Sequence, residues 1–190
     1  MKTKDFRQKN LVFCDVETTG LNPEIHEIIE VACIVVDGKS LKEITSFEAK
    51  VKPQRIERAE KEALQINGYS PEKWKEALEP KAALMQVANI SPNGILTGWN
   101  VSFDWSFLMH SFDRYAIIPK LDYQKIDVPS IAYSELYKKE LFVSLALRNV
   151  APLFGIKLGA VHSAMEDTRA TYEIFKKVMG MKIEQASLGI

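Results

Sequence analysis

Residues 11 to 20, Leu-Val-Phe-Cys-Asp-Val-Glu-Thr-Thr-Gly, constrain this chain more than any other stretch. Four residues suited to a buried strand run straight into two acids spaced i, i+2. Side chains alternate along a strand, so Asp15 and Glu17 share a face. An apolar strand that ends this way must solvate both carboxylates, pair them with cations, or hold a metal ion with them. A solvated strand end satisfies the same pattern, so the pair alone leaves its role open.

The surrounding chain narrows the choice. Its 190 residues, 46% hydrophobic and 26% charged, fit one globular domain with a substantial core. The reading is a polar tail over 1–9, a domain over 10–180 and a C-terminal tail over 181–190. Neither a run long and apolar enough to cross a membrane nor a secretory h-region is visible, so a cytoplasmic protein is expected. Zero formal net charge argues against a basic nucleic-acid coat along the whole chain, though not against a local patch or bound cations. Cys14 and Cys33 sit in apolar runs without C-x-x-C spacing and read as small core residues.

Periodicity places the elements. Strands are expected over 28–36 and 44–51, joined through the Asp37-Gly38 hairpin signal, then over 95–99 and 123–127. Helices are expected over 58–66, stopped by Asn67-Gly68, and over 71–78 and 80–89, divided at Pro80. Further helices run from Ser102, as a cap, to about Tyr115, and over 129–137 and 144–154. The last helix opens on the capping-box pattern Ser163-Ala164-Met165-Glu166 and carries the apolar stripe Ala170, Thr171, Ile174 and Val178. Strands first, then strands alternating with helices, predict a mixed sheet with helices on its faces.

Three places put acids where core-facing residues belong: Asp15 with Glu17, Asp104 beside Phe107 and Leu108, and Asp167 beside Ala170, Thr171 and Ile174. An acid in the first helical turn is favoured by the helix dipole alone, which is the plain reading of either helical Asp. Four such carboxylates together would raise one another's pKa unless cations neutralised them, and hard oxygen ligands in that number suit Mg²⁺ or Mn²⁺. His26 and His110 read as surface or core groups. His162 stands at the mouth of the last helix, where its ring could act as a general base near neutral pH.

Asp15-Val16-Glu17-Thr18-Thr19-Gly20, Asn100-Val101-Ser102-Phe103-Asp104 and His162 with Asp167 in H-x-x-x-x-D resemble, in order and separation, the three motifs of the DEDDh (DnaQ-like) 3′ to 5′ exonucleases, whose members include bacterial proofreading subunits. Joint occurrence is far more specific than any one motif. The resemblance implies an α/β, RNase H-like fold with a central five-stranded mixed sheet flanked by helices. It also implies two divalent cations, with Asp15, Glu17 and Asp167 holding one, Asp15 bridging to the second and Asp104 assisting through water. In such pairs, about 3.5 to 4 Å apart, one ion orients the attacking water and the other stabilises the leaving oxygen. His162 would take the proton. Trp99 departs from the family, which commonly has His before the Asn.

The resemblance further implies substrate contacts from Thr18, Thr19 and Gly20, with Leu21 as a wedge between bases and Trp99, Asn100 and Phe103 nearby. A plain turn and core aromatics account for the same residues. Gln185-Ala186-Ser187-Leu188-Gly189-Ile190 resembles the short peptides that dock bacterial replication proteins on a sliding clamp, and a frayed tail is the alternative. The expected activity is release of 5′-mononucleotides from DNA 3′ ends in proofreading or repair. An exoribonuclease is the alternative within the class. A non-catalytic nucleic-acid-binding or scaffolding module is the alternative outside it, and the presence of all five chemical residues weighs against it.

Overall fold

A computed structural model describes residues 5–141, 143–159 and 163–180. His162 and the 185–190 peptide therefore lie outside the described residues. Among those described, five strands form one mixed sheet: β1 (Leu11–Thr18), β2 (Ile28–Val36), β3 (Glu43–Lys50), β4 (Ile95–Gly98) and β5 (Lys125–Asp127). Their order is β3-β2-β1-β4-β5, with β1–β2 and β2–β3 antiparallel and β1–β4 and β4–β5 parallel. The expected five-stranded mixed sheet is what forms. β1 lies at its centre because Leu11 to Cys14 are apolar on both faces and must be covered on both.

Alternation along β1 divides the core in two. Val12, Cys14 and Val16 pack toward α2 (Pro80–Asn89) and α3 (Val101–Arg114). Leu11 and Phe13 pack on the other face, toward α4 (Val128–Lys138), α5 (Leu147–Val150) and α6 (Ala164–Val178). The fully buried Phe13 ring lies 5.1 Å from Tyr172 and 5.4 Å from Phe175, so it locks α6 onto the sheet. Cys14 and Cys33 face each other across β1 and β2, both buried, with Sγ atoms 3.5 Å apart and no disulfide, in keeping with a core role.

Several expected boundaries move, where a tertiary partner, a proline or a local side-chain bond outweighs the simple pattern. The helix expected over 58–66 is a 3₁₀ turn, Ile56–Arg58, followed after extended Ala59 by a six-residue α1, Lys61–Ile66. The helix expected over 71–78 is a run of turns. There the Trp74 indole donates to the Ile29 carbonyl at 2.7 Å, and Leu78 exchanges backbone bonds with Lys50 and Lys52. The helix expected over 144–154 is one turn, α5, continued by a 3₁₀ turn over Ala151–Phe154. Pro152 has no N–H to extend the α ladder. The Asp37-Gly38 hairpin is a wider loop. The Asp37 carboxylate accepts from the amides of Lys39 and Ser40, and Leu41 takes a left-handed φ of 52°.

Two helix starts also differ from expectation. Ser102 is not the cap of α3: the helix begins at Val101, preceded by Asn100 in the left-handed region at φ 62°, and Asp127 Oδ1 accepts the Val101 N–H at 3.1 Å. Ser163 does occupy the N-cap of α6 but accepts no capping bond. The Ala164 N–H goes instead to Glu30 Oε1 at 3.0 Å, and Glu166 accepts from Gly159 N–H at 3.2 Å. The capping box is thus replaced by a bond from β2.

Because Phe13 joins β1 to α6 through two aromatic contacts, Phe13→Ala should lower unfolding stability by about 3 to 5 kcal/mol. Urea denaturation followed by circular dichroism measures this.

Candidate active site

The β1–β4 ladder runs from Leu11/Ile95 to Phe13/Thr97 and then stops. β4 ends at Gly98, the chain passes through left-handed Asn100, and α3 begins. Beyond the ladder the Val16 N–H is taken by Asp104 Oδ1 at 3.0 Å, so the acid of α3 is bound directly to the strand that carries Asp15 and Glu17. Gly98 allows this approach, since a Cβ there would stand 3.0 Å from the Cys14 carbonyl and 3.5 Å from Asp104 Oδ2.

On the α6 side the expected face-sharing of Asp15 and Glu17 is realised. Asp15, Glu17 and Asp167 each offer a carboxylate oxygen, and the three lie within 4.8 Å of one another. Asp104 approaches from the opposite face and is not one of that trio, yet it lines the same cleft. This cleft of about 220 Å³ is walled by Asp15, Glu17, Asp104 and Asp167 with Trp99, Asn100, Phe103 and Leu147. Four sequence-predicted acids therefore converge.

Their electrostatics follow from crowding. Burial pushes Glu17 up to about 7, with the charges of Asp167 and Glu30 adding and that of Arg148 opposing. Burial likewise lifts Asp104 to about 8, against the pull of the Val16 N–H. Asp15 is raised well above the carboxylate range by burial first and then by Asp104, Glu17, Asp167 and Glu30. Like charges so close favour protons or cations as neighbours. Oxygen-only donors at this spacing suit a hard divalent ion.

The turn beyond β1 is held from several directions. Thr18 Oγ1 donates to the Gly20 carbonyl at 2.7 Å, and Asn67 Nδ2 donates to the Thr18 carbonyl at 2.9 Å. Both the amide and the hydroxyl of Thr19 are engaged by Glu27, at 2.9 Å each. Gly20 packs against the His26 ring, where a Cβ would come within 2.6 Å. Leu21 is 75% exposed beside it. Trp99 faces the cleft while its indole N–H donates to the Leu145 carbonyl at 2.9 Å, and Phe103 packs on Phe107 at 4.8 Å.

Sequence reasoning passed over three contributors. Glu30 is buried in β2 opposite Glu17, Asp127 fixes the start of α3, and Asn67 holds the Thr18 carbonyl. The signal for Glu30 was present: it is the one charge in the wholly buried strand Ile-Ile-Glu-Val-Ala-Cys-Ile-Val-Val. Burial raises its carboxyl as well, opposed by the Ala164 N–H.

The strand order and the helices on both faces define an RNase H-like fold, with the carboxylates at one end of its central strand. Exonuclease I of Escherichia coli, in complex with a dT13 oligonucleotide, superposes with a TM-score of 0.79 over 90% of this chain and 41% of its own, at 22% identity. Its zinc-bound form gives 0.76 at 21% identity, again over 90% of this chain and 41% of that one. The chain belongs to the exonuclease family whose sequence pattern matches residues 12–175. Among curated relatives, the PolC-type DNA polymerase III of Thermotoga maritima is 24% identical over 176 residues, 93% of this chain but 12% of the polymerase. Ribonuclease T of Buchnera aphidicola is 25% identical over 189 residues, 93% of this chain and 86% of the relative. The chain thus spans about an eighth of the length of the PolC-type relatives.

The raised acids set a pH dependence of the ion-free protein. An acid whose folded pKa exceeds its unfolded one keeps a proton that the unfolded chain has released, so stability falls as pH rises between the two values. The window for Glu17 and Asp104 runs from 4.5 and 3.8 up to about 7 and 8. In EDTA the unfolding free energy should therefore drop between pH 5 and pH 8.5, by an amount on the order of a few kcal/mol, and the melting temperature should fall with it. Asp104→Asn should reduce the drop in calorimetric scans.

Proposed function

We propose that this chain is a DEDDh-type, divalent-metal-dependent 3′ to 5′ exonuclease. The observation that carries the reading is the convergence of Asp15, Glu17 and Asp167 within 4.8 Å, with Asp104 in the same cleft. The donors fit Mg²⁺ or Mn²⁺: all are carboxylate oxygens, and raised pKa values mark a site short of positive charge. Asp15, Glu17 and Asp167 would hold one ion, Asp15 would share a second, and Asp104 would act through water. When bound, the ions supply charge neutralisation at the scissile phosphate and activation of water.

The chain's own residues do the rest. Asp104, tied to Val16 N–H, keeps the two motif acids of β1 in register with α3. The turn from Thr18 to Leu21, rigid through Glu27 and Asn67, would receive the terminal nucleotide, with exposed Leu21 against its base. Asn100, Trp99 and Phe103 would line the path of the strand on the other side. His162 is assigned the role of proton acceptor on its H-x-x-x-x-D spacing from Asp167.

DNA 3′ ends are the first choice of substrate, supported by the PolC-type relatives and by the oligonucleotide on the structural neighbour. RNA 3′ ends are the second reading, favoured by the ribonuclease T relative, which matches over most of its own length. Replication or repair in the cytoplasm, and a clamp or polymerase partner for Gln185 to Ile190, belong to the DNA reading. Removing residues 185–190 should then abolish clamp pull-down, and equal capture by both chains would count against that partner.

The central test is digestion of 3′-labelled single-stranded DNA, mismatched duplex and RNA with Mg²⁺ or Mn²⁺, against an EDTA control. Asp15→Asn and Asp167→Asn should each lower the rate more than about 100-fold with the circular dichroism spectrum unchanged. Undiminished hydrolysis by either variant would falsify the assignment. His162→Ala should slow turnover about 10² to 10⁴-fold and flatten the pH–rate profile near neutrality.

A further inference from the structure

Glu30 is a carboxylate where the fold affords none cheaply. It is 6% exposed, in a strand whose other eight residues are apolar, and it pairs in register with Glu17 on the face turned toward α6. A fifth acid at this crowded end costs free energy unless it makes a bond that the fold needs. It makes one across 134 residues of chain: Oε1 accepts the Ala164 N–H, the first amide of α6, at 3.0 Å. Ser163, the residue placed to cap that helix from within, makes no capping bond.

We propose that Glu30 is a positioning residue that caps α6 from the neighbouring strand and thereby sets Asp167 against Asp15 and Glu17. Asp167 lies one turn beyond the capped amide, and its own N–H bonds the Ser163 carbonyl at 3.0 Å, so the helix start and the ligand move together. Tying that start to β2 fixes it relative to β1, since Glu30 and Glu17 are register partners in the antiparallel β1–β2 ladder. A carboxylate also suits the positive end of a helix. Reach is the second requirement, because the bond spans from a strand to the helix packed on it.

A second clamp acts on the same stretch of chain. Gly159 donates to Glu166 Oε2 at 3.2 Å and accepts from Arg148 Nη1 at 2.8 Å. Gly159 is thus anchored to α5 and α6, and Ala164 to β2. The Glu30 bond therefore serves Asp167 through the start of α6.

The inference rests on the metal reading of the three-carboxylate cluster, and two variants separate it from a purely electrostatic role. Glu30→Gln keeps the reach and an acceptor oxygen but removes the charge. Glu30→Asp keeps the charge but loses the reach. Positioning by the cap predicts Mn²⁺ affinity within about threefold of the parent for Gln, and at least about tenfold weaker for Asp. It also predicts a lowered kcat with little change in KM for Asp. In the ion-free proteins, hydrogen exchange of the first-turn amides of α6 should stay slow in Gln and accelerate about tenfold in Asp. Loss in Gln matching that in Asp, or an Asp variant with parental exchange and affinity, overturns the inference. If the parent chain itself binds no Mn²⁺, the functional reading fails, while amide exchange still decides whether Glu30 caps α6.

Discussion

Like charges packed at the C-terminal end of β1 are the constraint around which this structure is arranged. Asp15 and Glu17 come from the strand, Asp167 from α6, Asp104 from α3 and Glu30 from β2. Burial and mutual repulsion raise Asp15 and Glu17, and the charge of Arg148 opposes this only in part at Glu17. What the fold supplies instead are backbone donors, the Val16 N–H to Asp104 and the Ala164 N–H to Glu30, each available because a ladder or a helix leaves it without a partner. Those two bonds join three layers at one point, and the carboxyl groups that remain are driven toward protonation or toward a divalent cation.

The rest of the architecture holds that point still. Phe13, wedged against Tyr172 and Phe175, sets the distance between β1 and α6 from below the site. The early end of the β1–β4 ladder, the bare backbone of Gly98 and the left-handed turn at Asn100 bring α3 close enough for Asp104 to reach across. Asp127, the last residue of β5, then secures the first amide of α3. Both acid-bearing helices, α3 and α6, are thus capped by acids from strands, not by their own first residues. The capping sites are thereby referenced to the sheet, which is what a site assembled from four elements requires.

The site was legible in the sequence to the extent that its signals were periodic or ordered. β1 and β2 are read directly from unbroken apolar runs, and α6 from its stripe and its first-turn acids. Asp15, Glu17, Asp104 and Asp167 each broke an apolar pattern and did so in motif order. The capping of α6 was not legible. Ser163-Ala164-Met165-Glu166 satisfies the local rule, and only the packing of α6 on β2 brings Glu30 within reach to replace it. The run from Ser70 to Leu78 failed for a related reason: Trp74 finds the Ile29 carbonyl and Leu78 finds β3, bonds that no window of neighbouring residues contains.

The sequence by itself determined the central strand, the alternation that puts Asp15 and Glu17 on one face, the family to which the chain belongs and the acids that meet. These are set by spacing along the chain, where side-chain direction follows from the period of a strand or a helix. Only the tertiary structure decided that Asp104 meets β1 through the Val16 amide, outside the trio, and that Glu30 joins the site as a cap. Both depend on backbone groups left open where elements end. Which side chain fills such an opening is chosen by three-dimensional proximity across as many as 134 residues, and local preference carries no record of it.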